Sequence, residues 1–250
     1  MKIFAHRGYR GLFPENTMIA YMEAEKTGCE AIELDCHLTK DGEVVIIHDE
    51  TLTRTTDMDG VIGYMTLEQV RQANAASLYE GRYRAQRVPT FEEYCQWVAS
   101  TQLFTNVEIK TDIVPYPGIE EKIWSIVKRY GLEERMLFSS FNHVSLLELQ
   151  RIAPQARLGA LVWEKAGARA FLADYCTQHG FSAWHPSVDV VTKASVDECH
   201  SVGVEVNVWT VNDFTTFTRV YEAGCDGVFT DYPEAALVWR ERLVSRRCEE

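Results

Sequence analysis

The feature that most constrains this chain is a repeated alternation of short apolar runs with helical stretches. Eight runs read as strands: Ile3–Ala5, Ala31–Leu38, Phe104–Lys110, Met136–Phe141, Leu158–Trp163, Ser182–His185, Glu205–Val211 and Gly227–Thr230. Between and after them, helical patterns cover Met18–Thr27, Phe91–Ser100, Ile119–Tyr130, Val144–Ile152, Ala168–His179, Ser195–Val202, Phe214–Ala223 and Glu234–Leu243. Gly28, Gly131, Gly180, Gly203 and Gly224 follow helix ends, where a left-handed residue closes the last turn. Apolar strands that alternate with helices are covered on both faces, which favours a parallel sheet. The 250 residues suffice for one closed α/β barrel domain spanning 1–250, with an open doubly wound sheet as the alternative.

The alternation breaks once. After the turn at Lys40-Asp-Gly42 and a further apolar run at Val44–Ile47, residues 50–88 lose the pattern. They hold Thr55–Gly60, a short helix at Leu67–Ala75 and the basic Arg82-Tyr-Arg84. This is far longer than the usual βα loop of ~2–6 residues. It reads as an inserted subdomain on the rim of the barrel. Asp57-Met-Asp59 with Glu68 has the flavour of a calcium loop, but Val61 and Ile62 stand where such a loop needs an acidic residue and a glycine.

A net charge of −12 and a pI of about 5.1 argue against nucleic acid and anionic membranes as partners. A small anionic substrate then requires local positive charge. Seven scattered cysteines without a CxxC pair read as free thiols in a reducing cytoplasm. Met1 leads directly into the first strand, so no signal peptide is expected. No apolar run reaches the ~18 residues of a bilayer span, and no stable membrane association is expected. The oligomeric state stays open.

Polar residues recur at the carboxyl ends of the strands, where α/β barrels place their chemistry. Glu33 and Asp35 lie two apart on one strand and share a face, while Ile32 and Leu34 take the other. Paired carboxylates in a barrel interior are costly without a cation. Glu108, late in Asn106-Val-Glu-Ile-Lys110, supplies a third oxygen ligand. Such a set suits one divalent cation, Mg²⁺ or Ca²⁺. The plainer reading is a set of internal salt bridges, with Lys110 neutralising Glu108. His6 and His48 each end an apolar run and can exchange protons at neutral pH. Arg7 can fork onto phosphate oxygens or pair with Glu15. Trp209 is a pocket wall or a core residue. His37, His143, His179 and His200 lack a comparable setting, and His185 is a weaker candidate.

These pieces stand in order along the chain as Ala5-His-Arg-Gly8, Pro14-Glu-Asn-Thr17, Glu33-Leu-Asp35, Thr39-Lys-Asp-Gly42, Val45–Asp49, Arg54-Thr-Thr56, Glu108-Ile-Lys110, Ser139-Ser-Phe141, Val208–Asn212 and Thr230-Asp231. As a set they resemble the glycerophosphodiester phosphodiesterase family. The resemblance implies a TIM-type (β/α)8 barrel with a small insertion after the second βα strand region. It implies hydrolysis of glycerophosphodiesters to an alcohol and glycerol 3-phosphate. Carried over by position, His6 and His48 match the acid–base pair, Glu33, Asp35 and Glu108 the metal ligands, and Arg7 and Lys110 the phosphate contacts. A barrel glycosidase using two of the carboxylates leaves the histidines and the cations unexplained. A non-catalytic phosphodiester-binding barrel needs no acid–base pair.

Overall fold

The computed structural model describes residues 1–163 and 172–249, with side chains through 246. Among the described residues the strands are β1 (Lys2–Ala5), β2 (Ala31–Leu38), β3 (Val44–Ile46), β4 (Phe104–Ile109), β5 (Met136–Ser140), β6 (Arg157–Val162), β7 (Ala183–Pro186), β8 (Glu205–Val208) and β9 (Gly227–Thr230). All pairings are parallel except β2 with β3. The order runs β1-β9-β8-β7-β6-β5-β4-β2, and β1 pairs again with β2, so eight strands close a barrel. This is the expected TIM-type (β/α)8 architecture.

The helices are α1 (Met18–Thr27), α2 (Leu67–Val70), α3 (Phe91–Val98), α4 (Ile119–Arg129), α5 (His143–Ile152), α6 (Leu172–His179), α7 (Lys193–Ser201), α8 (Phe214–Ala223) and α9 (Pro233–Glu249); all but α2, which belongs to the irregular segment, surround the barrel. The start of the helix expected at Ala168–His179 lies outside the described residues. Local chemistry accounts for the boundaries. Thr90 and Glu93 form a reciprocal capping box at the start of α3. Asp213 caps α8 by accepting from the Thr216 amide. The last helix runs past the expected Leu243 because its polar tail contains neither glycine nor proline.

Strand alternation divides the barrel wall. Ile32, Leu34 and Cys36 of β2 join the main core between barrel and helices. Ala31, on the inward face, meets Phe4 and Phe229, which floor the barrel with ring centroids 4.7 Å apart. The inward series above that floor is largely polar, with Glu33 and Asp35 of β2, Asn106 and Glu108 of β4 and Ser139 of β5. Gly159 of β6 makes room for it: a Cβ there would lie 2.7 Å from the His185 ring.

The Val44–Ile47 run behaves differently from the barrel strands. As β3 it pairs antiparallel with β2, outside the closed ring. Val45 and Ile47 turn away to pack with Leu52, Ile62, Val70, Ala73 and Val88 in a core of their own.

Candidate active site

The predicted residues gather at the carboxyl ends of the strands. His6, Arg7, Glu33, His48, Glu108, Lys110 and Trp209 all line one cleft of about 360 Å³. Asp35 lies buried beside it. Ligand oxygens of Glu33, Asp35 and Glu108 fall within 4.8 Å of one another. Register explains the meeting: Asp35 and Glu108 are neighbours across β2 and β4, and both face inward.

The trio is electrostatically frustrated. Burial, then the charges of Asp35 and Glu108, push Glu33 well above the usual carboxylate range. Burial and Asp35 likewise raise Glu108, against the pull of Lys110. Asp35 is also opposed by burial, but His48, Arg7, Lys110 and an Asn16 hydrogen bond hold it below its ordinary value. The Asn16 amide donates to Asp35 Oδ2 at 2.8 Å, whereas Asp35 Oδ1 is buried without a partner.

Both histidines use the same device. His6 Nδ1 donates to Asp231 Oδ1 at 2.7 Å, and His48 Nδ1 donates to Asp49 Oδ1 at 2.6 Å. Each Nδ1 is committed, so each Nε2 is the nitrogen left for chemistry. His6 Nε2 stands 3.9 Å from Glu33 Oε2. Burial, and then the Arg7 charge, lower the His6 pKa against the raising effect of Asp231.

Arg7 has a positive φ of 55°, uncommon outside glycine, and its amide donates to Glu33 Oε2 at 2.8 Å. The next residue, Gly8, has φ +78°, and a Cβ there would come within 2.8 Å of the Ala20 backbone. The His-Arg-Gly order is therefore a backbone requirement as much as a chemical one. The Arg7 guanidinium donates to Glu15 at 2.9 Å and stands 3.4 Å from Asp35. Lys110 donates to Glu108 Oε1 at 2.8 Å. Both cations thus make the ion pairs that the plainer reading anticipated, while still facing the cleft.

The glycerophosphoryl diester phosphodiesterase family matches residues 6–235 of this chain. The chain belongs to that family. It is an enzyme, a phosphoric diester hydrolase. It is 36% identical over 242 residues to a glycerophosphodiester phosphodiesterase of Caldanaerobacter subterraneus, covering 94% of this chain and 96% of the relative. It is also 36% identical to one of Bacillus altitudinis, over 97% and 99% of the two chains. Among solved structures it is similar to a phosphodiesterase of Oleispira antarctica in complex with the product sn-glycerol-3-phosphate. That match has 28% identity, a TM-score of 0.85, and 96% and 97% coverage.

The phosphodiesterase also holds site residues that the sequence reading left without a role or, for Glu15, named only as a partner of Arg7. Asp231 and Asp49 orient the histidines. Glu15 takes an ion pair from Arg7, Arg10 and Arg54 alike. Arg54 bridges Glu15 to Asp49 through four hydrogen bonds of 2.6–3.1 Å. The ring of His37 donates to the His48 carbonyl at 3.0 Å and so braces that loop. Most of these lie in motifs already conspicuous in the sequence, Pro14–Thr17, Arg54-Thr-Thr56 and Thr230-Asp231; the motif was the signal. His185 proves to be a buried interior group with Nε2 3.2 Å from the Asn207 amide, and burial lowers its pKa to about 3. No helix among the described residues is long and apolar enough to cross a membrane.

Proposed function

We propose that this chain hydrolyses a small glycerophosphodiester to an alcohol and glycerol 3-phosphate, with a divalent cation and two histidines as acid and base. The observation that carries the reading is the meeting of three carboxylates within 4.8 Å, two of them lining the cleft that His6 and His48 share and Asp35 buried beside it.

The residues fit a metal. The donors are all carboxylate oxygens, which suits Mg²⁺ or Ca²⁺. Two of the three acids resist ionisation without a compensating charge, and Asp35 Oδ1 has no protein partner. Glu33, Asp35 and Glu108 would hold the ion. When bound, it supplies Lewis-acid stabilisation of charge on the phosphate oxygens.

The chain's own groups do the rest. Arg7 and Lys110 add positive charge beside the phosphate, already positioned by Glu15 and Glu108. One imidazole takes a proton on Nε2 from the attacking hydroxyl. The other returns a proton from Nε2 to the alkoxide as its P–O bond breaks, and the sum of the steps adds one water across the ester. Asp231 and Asp49 keep the tautomers that leave each Nε2 available. Trp209 walls the substrate, and residues 50–88 act as a small inserted subdomain on the rim that carries the His48 side. Six buried free thiols among the described residues suit a reducing compartment such as the cytoplasm.

The deciding experiment follows glycerol 3-phosphate release from a panel of glycerophosphodiesters, with EDTA and with added Mg²⁺ or Ca²⁺. Release that EDTA stops and metal restores is expected. Metal-independent release, or binding without turnover, overturns the reading.

A further inference from the structure

His48 follows a strand that lies outside the closed ring, and Asp49 orients only its imidazole. Its main chain is held by a second histidine. His37, on β2, is fully buried, and both of its ring nitrogens are engaged. Nε2 lies 3.0 Å from the His48 carbonyl, and Nδ1 lies 3.1 Å from the Tyr116 hydroxyl. The partners fix where the protons sit. A carbonyl can only accept, so Nε2 carries the hydrogen. Burial disfavours the charged ring, which leaves Nδ1 as an acceptor for the Tyr116 O–H. Burial, and then the Glu50 charge, push the Tyr116 hydroxyl above its ordinary pKa and keep it a donor. The hydrogen bonds therefore run one way, from Tyr116 through His37 to His48.

Tyr116 is itself held on several sides. Its ring meets that of His37 edge-on, with centroids 5.6 Å apart and planes at 89°. A Cβ on Gly63 would lie 3.0 Å from the Tyr116 ring, so the irregular segment packs closely against it. Its carbonyl accepts from the Ile119 amide at the start of α4. Asp112 and Ile113, earlier in the same connection between β4 and α4, line the cleft. Neither Tyr116 nor His37 is among the residues that line it. Whatever they do for the reaction passes through His48.

We propose that Tyr116 and His37 are positioning residues that hold the His48 main chain so that its Nε2 stays aligned for proton exchange. The proposal rests on the phosphodiesterase reading above and on the part it gives to His48. The competing account is a core tyrosine that satisfies its hydroxyl on the nearest acceptor. That account predicts lost stability with no selective effect on His48.

Tyr116→Phe removes the donor and keeps the ring. It should lower kcat about tenfold with KM within about twofold of the wild type, as for other partners that orient an imidazole. His37→Gln keeps an N–H for the His48 carbonyl and should retain more activity than His37→Leu. Paired substitutions separate the two accounts. With Asp231→Asn, which acts on His6, the Tyr116→Phe loss should multiply in full. With Asp49→Asn, which acts on His48, the combined loss should fall short of the product by about threefold or more. Losses that multiply in both pairs would overturn the positioning role. A second measurement needs no turnover: the proton–carbon spectrum of the ring Cε1 groups of the seven histidines. Tyr116→Phe should shift the His37 and His48 signals and leave that of His6 in place. A shift confined to His37, or one spread equally over His6 and His48, sinks the proposal even if kcat falls. The expected shifts in a protein that hydrolyses no diester would support the brace and refute the reaction assigned to it.

Discussion

The two histidines are held by the same hydrogen bond in two different kinds of structure. His6 follows a barrel strand, and its Asp231 follows the strand beside it, so the pair spans the closing seam of the sheet. His48 follows a strand outside the ring, and its Asp49 is the next residue, tied down by Arg54 from the irregular segment. The His6 side chain is 13% exposed and that of His48 30%. One half of the site is thus built into the barrel frame, and the other hangs on Arg54 from the irregular segment and on one brace from the barrel, the His37 ring of β2. The difference teaches that identical local chemistry can rest on unequal mechanical support, and substitutions should tell the halves apart.

The largest effect tests what the halves share. His6→Ala and His48→Ala should each cut kcat by about 10²–10⁴-fold while the circular dichroism spectrum stays native. Full activity in either variant removes that histidine from the reaction. Next comes the shared acidic trio. Glu33→Gln should raise the metal concentration needed for half-maximal activity by about a hundredfold. An unchanged metal requirement would mean that the carboxylates serve only as internal ion-pair partners.

The comparison itself is tested by Asp231→Asn against Asp49→Asn. Both exchange an acceptor for an amide and disturb the imidazole tautomer. Losses of about tenfold or more in kcat are expected, by analogy with the partners that orient metal-bound imidazoles. At 231 the exchange also disturbs the Asn212 amide and Arg10, which donate to the same carboxylate, but the backbone stays fixed, because the Asp231 N–H donates to Asn212 and its carbonyl accepts from Gly11. At 49 the exchange also weakens both bonds from Arg54 and frees the loop. Asp49→Asn should therefore lose several times more activity than Asp231→Asn. Equal losses would erase the mechanical distinction.

The same contrast explains what could be read in advance. The barrel half was legible because it is periodic. The bounds of β2 at Ala31–Leu38 follow from strict alternation of inward acids with outward apolar residues, and parallel register then brings Glu108 beside Asp35. The other half depends on contacts with no local signature. That Val44–Ile46 pairs antiparallel outside the ring is decided by the turn before it and by the separate apolar cluster behind it. Arg54 finds Glu15 across 39 residues, and Asp231 finds His6 across 225. Nothing in the spacing around either residue announces its partner. The sequence motifs marked these residues as noteworthy without saying what they touch.

The smallest effect on turnover should come from Glu15, the joint between the halves. It accepts from Arg7, whose amide and guanidinium reach Glu33 and Asp35, and from Arg54, which holds Asp49. Burial opposes the Glu15 charge, yet Arg54, Arg7 and Arg10 hold its pKa down at about 2 against an ordinary 4.5. The sign follows from linkage. A carboxylate with a depressed folded-state pKa contributes stability that is complete above its unfolded value. That contribution is lost as the pH falls through the folded one. For Glu15 the window runs from about 4.5 down to about 2. The contribution at neutral pH is on the order of 3 kcal/mol. Glu15→Gln should therefore lower the urea midpoint at pH 7, and the gap to wild type should narrow as the pH drops towards 3. A gap independent of pH would show that Glu15 acts through packing alone. In that case the three arginines, rather than the carboxylate between them, would be what couples the frame-mounted histidine to the loop-mounted one.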